Sequence, residues 1–365
     1  MNKTYAYNHQ PIPFDFAQTV ERFFVEEIPL FAFSNKGSYL ILKIKKSNMS
    51  TFKLITVLAK ATDLQQRDIG YAGLKDKNAT TVQYISIPKQ AEKEVIKNLT
   101  TEKIEILEKQ YSKFPIKVGQ LKGNNFSIIL KNVSPIQKEQ IEKVAKKMSQ
   151  EGIPNYYGYQ RFGEDNKSYL QGKEIAHSGK KLKGAKEKLL VSAYQSYLFN
   201  QWLSHRVSIS KTIMKHDISE AAKILEYPIE LVKALKQQTQ FFKLFIGDAM
   251  QSYPYGKSFY LKEFESSVKA FITQNSSPTG LLVGMKAKKA MADARYLEEK
   301  FDDDELYSLN GDRRYAWIFP KDLSLHYHTE KEELRINFYL PKGAYATTFL
   351  EEIGKSSLKP KKLER

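Results

Sequence analysis

The stretch GYAGLKDKNATTVQYISIP, Gly70 to Pro88, decides how the chain is read. It reads as the end of one strand, a polar turn, and a second strand closed by Pro88. Gly70 and Gly73 precede the turn, and a threonine-rich run follows it. Inside the turn a single acid, Asp76, lies between Lys75 and Lys77. A solvated turn is the ordinary reading. The sharper one is a carboxylate kept ionised for chemistry on an anionic partner.

On either side of this stretch the pattern mixes strands and helices. RFFVEEIP (22–29) reads as extended, and SYLILKIKK (38–46) places Leu40, Leu42 and Ile44 on one side. NMSTFKLITVLAKATDL (48–64) predicts a helix capped by Asn48 or Ser50, with Phe52, Ile55, Leu58 and Ala59 as its apolar face. RDIGYAG, KIEIL and NNFSIILKNV predict further strands. SPIQKEQIEKVAKKMSQEG (134–152) has the signals of a helix: Ser134 as cap, Pro135 in the first turn, and Gly152 as stop. Its stripe is Ile141, Val144, Ala145 and Met148. From about residue 156 to 315 helical stretches dominate, and strand signals are short. ELRINFYLPKG then restores a strand with Leu334, Ile336, Phe338 and Leu340 alternating, followed by a closing helix, ATTFLEEIG. The expected fold class is therefore α+β, with a mixed, mainly antiparallel sheet interrupted by a mostly helical insertion. The last residues, SSLKPKKLER, read as a frayed basic tail.

Composition narrows the function. The 365 residues suggest two or three domains, and the apolar fraction is enough to build cores. Cysteine is absent, which excludes disulfides and thiolate metal sites. His326 and His328 share a strand spacing, but no carboxylate partners are flagged, so no metal is expected. No apolar run approaches the ~20 residues of a membrane span, and the N-terminal residues lack the apolar core of a secretion signal. A cytoplasmic protein is expected, with a monomer as the working oligomeric state. The net charge of +17, with 22 Tyr and 21 Phe, suits phosphate contacts and base stacking. Lys180, Lys181, Lys183, Lys186 and Lys188, with Lys286, Lys288 and Lys289, form two basic clusters expected to meet phosphates. Tyr156, Tyr157 and Tyr159 are open between packing and stacking on RNA. Neither a phosphate-binding P-loop nor a dinucleotide fingerprint is present, so nucleotide-dependent chemistry has no support.

Six stretches taken in order carry a resemblance. They are AGLKDKNATTVQ at 72–83, LKGNNFSIIL at 121–130, PNYYGYQRFG at 154–163, SAYQSYLFN at 192–200, PTGLLVG at 278–284 and LPKGAYATTFLEEI at 340–353. Together they resemble the TruD family of tRNA pseudouridine synthases. The resemblance implies a catalytic domain built from residues 1–155 and 316–365, with a family-specific domain, 156–315, inserted. It implies an isomerase that converts a tRNA uridine, at position 13 in the D-arm, to pseudouridine without a cofactor. The family's catalytic aspartate falls on Asp76. A uracil-pocket phenylalanine falls on Phe23, the asparagine and aromatic of the KGN-F motif on Asn124 and Phe126, and the aromatic before the closing helix on Tyr345. Phenylalanine is common at that last position. Ahead of Phe23, Ala17 stands where the family often has lysine, and Val20 where it has proline.

The chemistry explains the residue types. Pseudouridine formation exchanges a C1′–N1 bond for a C1′–C5 bond, so nothing is added or lost. A carboxylate acts as nucleophile or base, and it must be ionised. Nearby positive charge favours that form. On an extended segment Lys75 and Lys77 would point away from Asp76, so a basic partner from elsewhere, such as Arg161, is expected. The target base must leave its stack; Phe23 and Tyr345 are candidates to sandwich it, and Asn124 to read its edge from a KGN turn. A non-catalytic RNA-binding protein of the same fold is the other reading, and retention of Asp76 and Asn124 argues against it.

Overall fold

In the computed structural model, which describes residues 3–99, 101–163, 165–179 and 182–358, the alternation read in SYLILKIKK becomes a strand paired on both sides. In chain order the first elements are β1 (Phe23–Pro29), β2 (Tyr39–Ser47), α1 (Thr51–Thr62), β3 (Gly70–Tyr71), β4 (Thr80–Pro88), α2 (Glu92–Asn98), β5 (Ile104–Ser112), β6 (Leu121–Leu130) and α3 (Pro135–Glu151). The middle of the chain gives β7 (Ile153–Pro154), α4 (Ser168–Ala176), α5 (Gly184–Lys215), α6 (Ile218–Leu225), α7 (Ile229–Gln237), β8 (Ala249–Ser252), β9 (Ser258–Tyr260) and α8 (Phe264–Ile272). Then follow β10 (Ser276–Leu282), α9 (Ala292–Glu298), β11 (Asp312–Tyr315), β12 (Trp317–Ile318), β13 (Lys321–His328), β14 (Glu333–Pro341) and α10 (Ala346–Gly354).

Contacts divide the chain into two compact units. One comprises Pro13–Glu142 and Pro320–Gly343; the other takes the chain up to Ile12, Lys143–Phe319 and the closing helix from Ala344. The first unit is an eight-stranded sheet in the order β13-β14-β6-β1-β4-β2-β5, with β3 beside β4. Its pairs are antiparallel except β1 with β4. The fold class is α+β, as expected. Leu40, Leu42 and Ile44 of β2 turn to one face, where they bury against Leu54 and Leu58 of α1 and Val95 of α2. Each such side chain contributes about 1.5–3 kcal/mol by leaving water. Ile41 turns to the opposite face and packs with Ala72, Ile116 and Leu121.

Several local expectations change in the structure. Ser50, not Asn48, caps α1 by accepting from Lys53 N at 3.2 Å. The buried face of α1 is Thr51, Leu54, Ile55, Leu58 and Thr62, and Phe52 is 59% exposed. Phe52 meets the edge of Tyr71 instead, so its apolar character had misplaced the stripe. RDIGYAG contributes only the two-residue β3. Ser134 does cap α3, with Gln137 returning the bond: Gln137 N donates to Ser134 Oγ and Ser134 N to Gln137 Oε1. Within the mostly helical middle of the chain, Pro228 separates α6 from α7.

The second unit is mainly helical and is organised on the 32-residue α5. Two small sheets, β11-β10-β8-β9 and β12-β7, complete it. Its core contains a buried ion pair: Arg206 binds Asp248 through both guanidinium nitrogens, at 2.7 and 2.9 Å. His326 and His328 are exposed on β13, opposite Arg335 and Glu333. Among the described residues no group of three metal-ligating side chains forms, and no helix is long and apolar enough to cross a membrane. Lys180, Lys181 and the tail from 359 lie outside the described residues.

Candidate active site

Asp76 sits in the loop between β3 and β4, and the sheet explains what surrounds it. Where that loop enters β4, Thr80 is flanked by Phe24 of β1 on one side and Ser47 of β2 on the other. Thr80 Oγ1 donates to Val20 O at 2.8 Å and pairs with Ser47 Oγ at 3.1 Å. These bonds hold the segment before β1 beside the loop. The loop is also tied to the start of α1: Lys75 N donates to the buried Thr51 hydroxyl at 2.9 Å, which donates on to Gln83 Oε1. Gly70 permits the approach that begins the loop, since a Cβ there would lie 2.3 Å from Ile116 O.

Asp76 is exposed, yet protein crowds it enough that desolvation pushes its carboxyl pKa up from the usual value. Solvent thus reaches it without fully hydrating it. A hydrogen bond from Gln18 and the charges of Lys46 and Lys75 oppose that rise. Lys46, on β2, is 1% exposed and donates to Met49 O. Burial depresses its pKa to about 8, the charge of Asp76 works against that, and Lys75 adds to it.

Lys75 does not turn away, as an extended segment would require, because residues 72–79 form an irregular loop. Its ammonium lies 2.9 Å from Glu27 Oε2 on β1 and donates to Asn124 Oδ1 at 2.6 Å on β6. Glu27 and Asn124 face each other in the β1–β6 register. Arg161, the other cation considered, donates to Ser192 and Ser196 of α5 and lies over Tyr157 in the second unit. The charges that act on Asp76 within its own unit are Lys46 and Lys75.

Asn124 lies within β6, not in a turn. Since lysine only donates, the atom facing Lys75 is the amide oxygen. Among the described residues no hydrogen bond is seen from its NH₂ end. Phe126, two residues on, stacks on Phe338 at 5.5 Å and meets the edge of Phe23 at 6.1 Å. Phe23 also meets Phe16 at 6.1 Å and is only 2% exposed, so it is a packed core ring and not a free face.

Tyr345 belongs to the second unit, where it precedes α10 and its carbonyl accepts from Thr348. Its ring is half-buried and meets Tyr157 edge-on at 5.9 Å. Arg314 lies 4.0 Å from the centre of Tyr157 and 5.9 Å from that of Tyr345. Of the three tyrosines left open, Tyr156 and Tyr159 are buried, and Tyr157 joins this cationic cluster. In the basic clusters Lys183, Lys186, Lys188, Lys286 and Lys288 are exposed. Lys289 pairs with Asp302 at 3.3 Å and covers Tyr307.

Gln18, Lys46 and Thr51 were not anticipated. Lys46 left a signal, because it continues the inward alternation of Leu40, Leu42 and Ile44 as a lysine in an apolar register. Gln18 and Thr51 left none.

The fold and this site define an α+β protein whose sheet presents a carboxylate loop backed by buried lysines. The family model described as tRNA pseudouridine synthase D (TruD) matches residues 2–181 and 167–353. A tRNA pseudouridine synthase D of Nitratiruptor sp. is 43% identical over 98% of this chain and 99% of its own. One from Wolinella succinogenes is 42% identical over 98% and 99%, and one from Helicobacter pylori 38% over 96% and 95%. A crystal structure from Methanosarcina mazei, described as a tRNA pseudouridine synthase D, superposes with a TM-score of 0.69 at 21% identity, over 97% of this chain and 96% of that one. The chain belongs to the TruD family.

Proposed function

We propose that this protein is a tRNA pseudouridine synthase that isomerises uridine 13 of the D-arm, with Asp76 as nucleophile or base. The observation that carries the reading is the opposition at Asp76: crowding raises its carboxyl pKa while Gln18, Lys46 and Lys75 favour the ionised form. A carboxylate so held is poorly solvated yet has a hydrogen-bond donor and two cations that favour its charged form, which suits attack or proton abstraction. Asn124 offers its NH₂ to the uracil edge, Phe126 and the enclosed Phe23 form the floor of the uracil pocket, and Tyr345 supplies a stacking ring. The catalytic domain takes residues 1–155 and 316–365, with 156–315 as the inserted domain. The enzyme acts in the cytoplasm as a monomer on tRNA, with no cofactor, since the isomerisation is neutral in atoms and electrons.

The test is to incubate purified protein with an unmodified tRNA transcript and map pseudouridine by position. Wild-type protein is expected to convert one D-arm uridine, and Asp76→Ala to bind tRNA without converting it. Conversion by the variant would remove Asp76 from the mechanism.

A further inference from the structure

One cavity in the mainly helical unit is lined by none of the residues assigned above. This cavity measures about 600 Å³, within the ~300–1,000 Å³ usual for ligand sites. Its charged lining is three lysines, Lys147, Lys211 and Lys215, against one acid, Glu151. Lys211 donates to Tyr5 O, and Lys147 lies 3.7 Å from Glu151 and 5.6 Å from the centre of the Tyr7 ring. Lys215 is exposed, and among the described residues no ion pair occupies it. Tyr7 and Phe241 are half-buried rings in the same lining.

The loop that supplies Phe241 is built around a buried cation. Lys243 is 0% exposed, and its ammonium donates to Gln238 O at 2.5 Å and Gln240 O at 2.8 Å. Among the described residues its partners are carbonyls, not carboxylates. Burial and the nearby Lys236 hold its pKa down at about 8. An ammonium taken out of water without a counter-charge costs several kcal/mol. What that cation fixes is the backbone of 238–242. The Gln238 side chain adds bonds to Leu244 N and O, and Gln240 donates to Gln238 Oε1. Phe241 and Phe242 are further held on Trp317, at 5.8 and 5.1 Å. One wall of the cavity is therefore set before any ligand arrives, which lowers the ordering cost of binding.

A preset flat ring and an unneutralised ammonium lining one cavity fit a nucleotide, with the base on the ring and the phosphate on the lysine. The net charge of +17 favours a polyanion over a free mononucleotide. We infer that this cavity is a second RNA subsite, which takes one unstacked nucleotide of the bound tRNA, its base on Phe241 and its phosphate on Lys215. The inference rests on the reading of the protein as an enzyme acting on tRNA.

The test measures binding of an unmodified tRNA transcript across a salt series, with pseudouridine formation followed in parallel. The proteins are wild type, Lys215→Glu and Phe241→Leu. Leucine keeps apolar volume and removes the flat face, and melting curves establish that each variant is folded. Phe241→Leu is expected to weaken binding about 5- to 100-fold. Lys215→Glu is expected to weaken it and to lower the salt slope by about 1. Wild-type affinity and slope in both folded variants would overturn the subsite. So would a loss confined to Lys215→Glu, since that is a phosphate contact without a bound base. Wild-type protein that binds tRNA but converts no uridine would defeat the enzymatic reading instead, and the binding comparison would still decide the subsite.

Discussion

Lys75 Nζ donates to Asn124 Oδ1 at 2.6 Å, which joins the carboxylate loop to the neighbouring sheet. The same ammonium lies 2.9 Å from Glu27, which is 1% exposed. Lys75 thereby orients an amide, neutralises a buried acid and adds positive charge near Asp76. Lys75→Met should leave Glu27 buried and unpaired, a loss of about 3–5 kcal/mol. Adding Glu27→Gln removes the stranded charge and should restore most of that loss. Urea unfolding of both single variants and the double variant measures the coupling. Independent, additive effects would show that the pair does not act as a unit.

On the proposed mechanism the raised pKa of Asp76 should set an acid limit on activity. That mechanism requires the ionised form, so the rate should fall as pH drops through a pKa above the ordinary carboxylate value near 3.8. Stability has the opposite sign. A carboxyl whose folded pKa exceeds its unfolded one favours the fold at low pH, and that benefit fades as pH rises through the folded pKa. Asp76→Asn should therefore abolish conversion without destabilising the protein at pH 7. Because Asp76 is exposed, the stability change should stay within about 0.5 kcal/mol. Melting curves and single-turnover assays at several pH values test both parts. A melting point that falls sharply with the activity would mean that the residue is structural.

Lys46 is expected to set the alkaline limit. Its pKa is depressed to about 8, so its positive charge near Asp76 is lost as pH rises through that value. A lysine depressed in the fold opposes folding at pH 7, and this penalty is relieved between pH 8 and its ordinary value near 10.5. Lys46→Met should then hold or raise stability at pH 7, lower the rate there, and remove the alkaline limb of the pH–rate profile. An alkaline limb that survives in Lys46→Met would assign it to another group.

The strands and their alternation were legible because each hydrophobic residue of β2 and β14 has one sheet face to choose. Leu334, Ile336, Phe338 and Leu340 are all buried, as their period of two requires. Phe52 was misplaced because an apolar ring also packs at a solvent edge, here against Tyr71. At the site, the positions of Asp76 and Asn124 came from the resemblance; their linkage did not. Lys75 touches residues 48 and 49 positions away, and no local pattern encodes which strands of a sheet become neighbours. The charge of Lys46 and the hydrogen bond of Gln18 depend on the same pairing.

That pairing offers a sharp test at Gly123, next to Asn124. A Cβ at this position would lie 2.2 Å from Leu340 O and 2.5 Å from the Tyr339 hydroxyl. The first is backbone in the facing β14 and cannot yield without moving that strand. Gly123→Ala should therefore spread β6 from β14, at a cost of about 1–3 kcal/mol. The displacement would act on Asn124 and its bond from Lys75 before it reached Asp76. The rate should consequently fall more than thermal stability alone would explain, with tRNA affinity little changed. Unfolding curves, tRNA binding and single-turnover conversion at a temperature where the variant is folded separate these effects. A folded variant with the wild-type rate would show that the close approach of β6 to β14 is not what holds Asn124 in place.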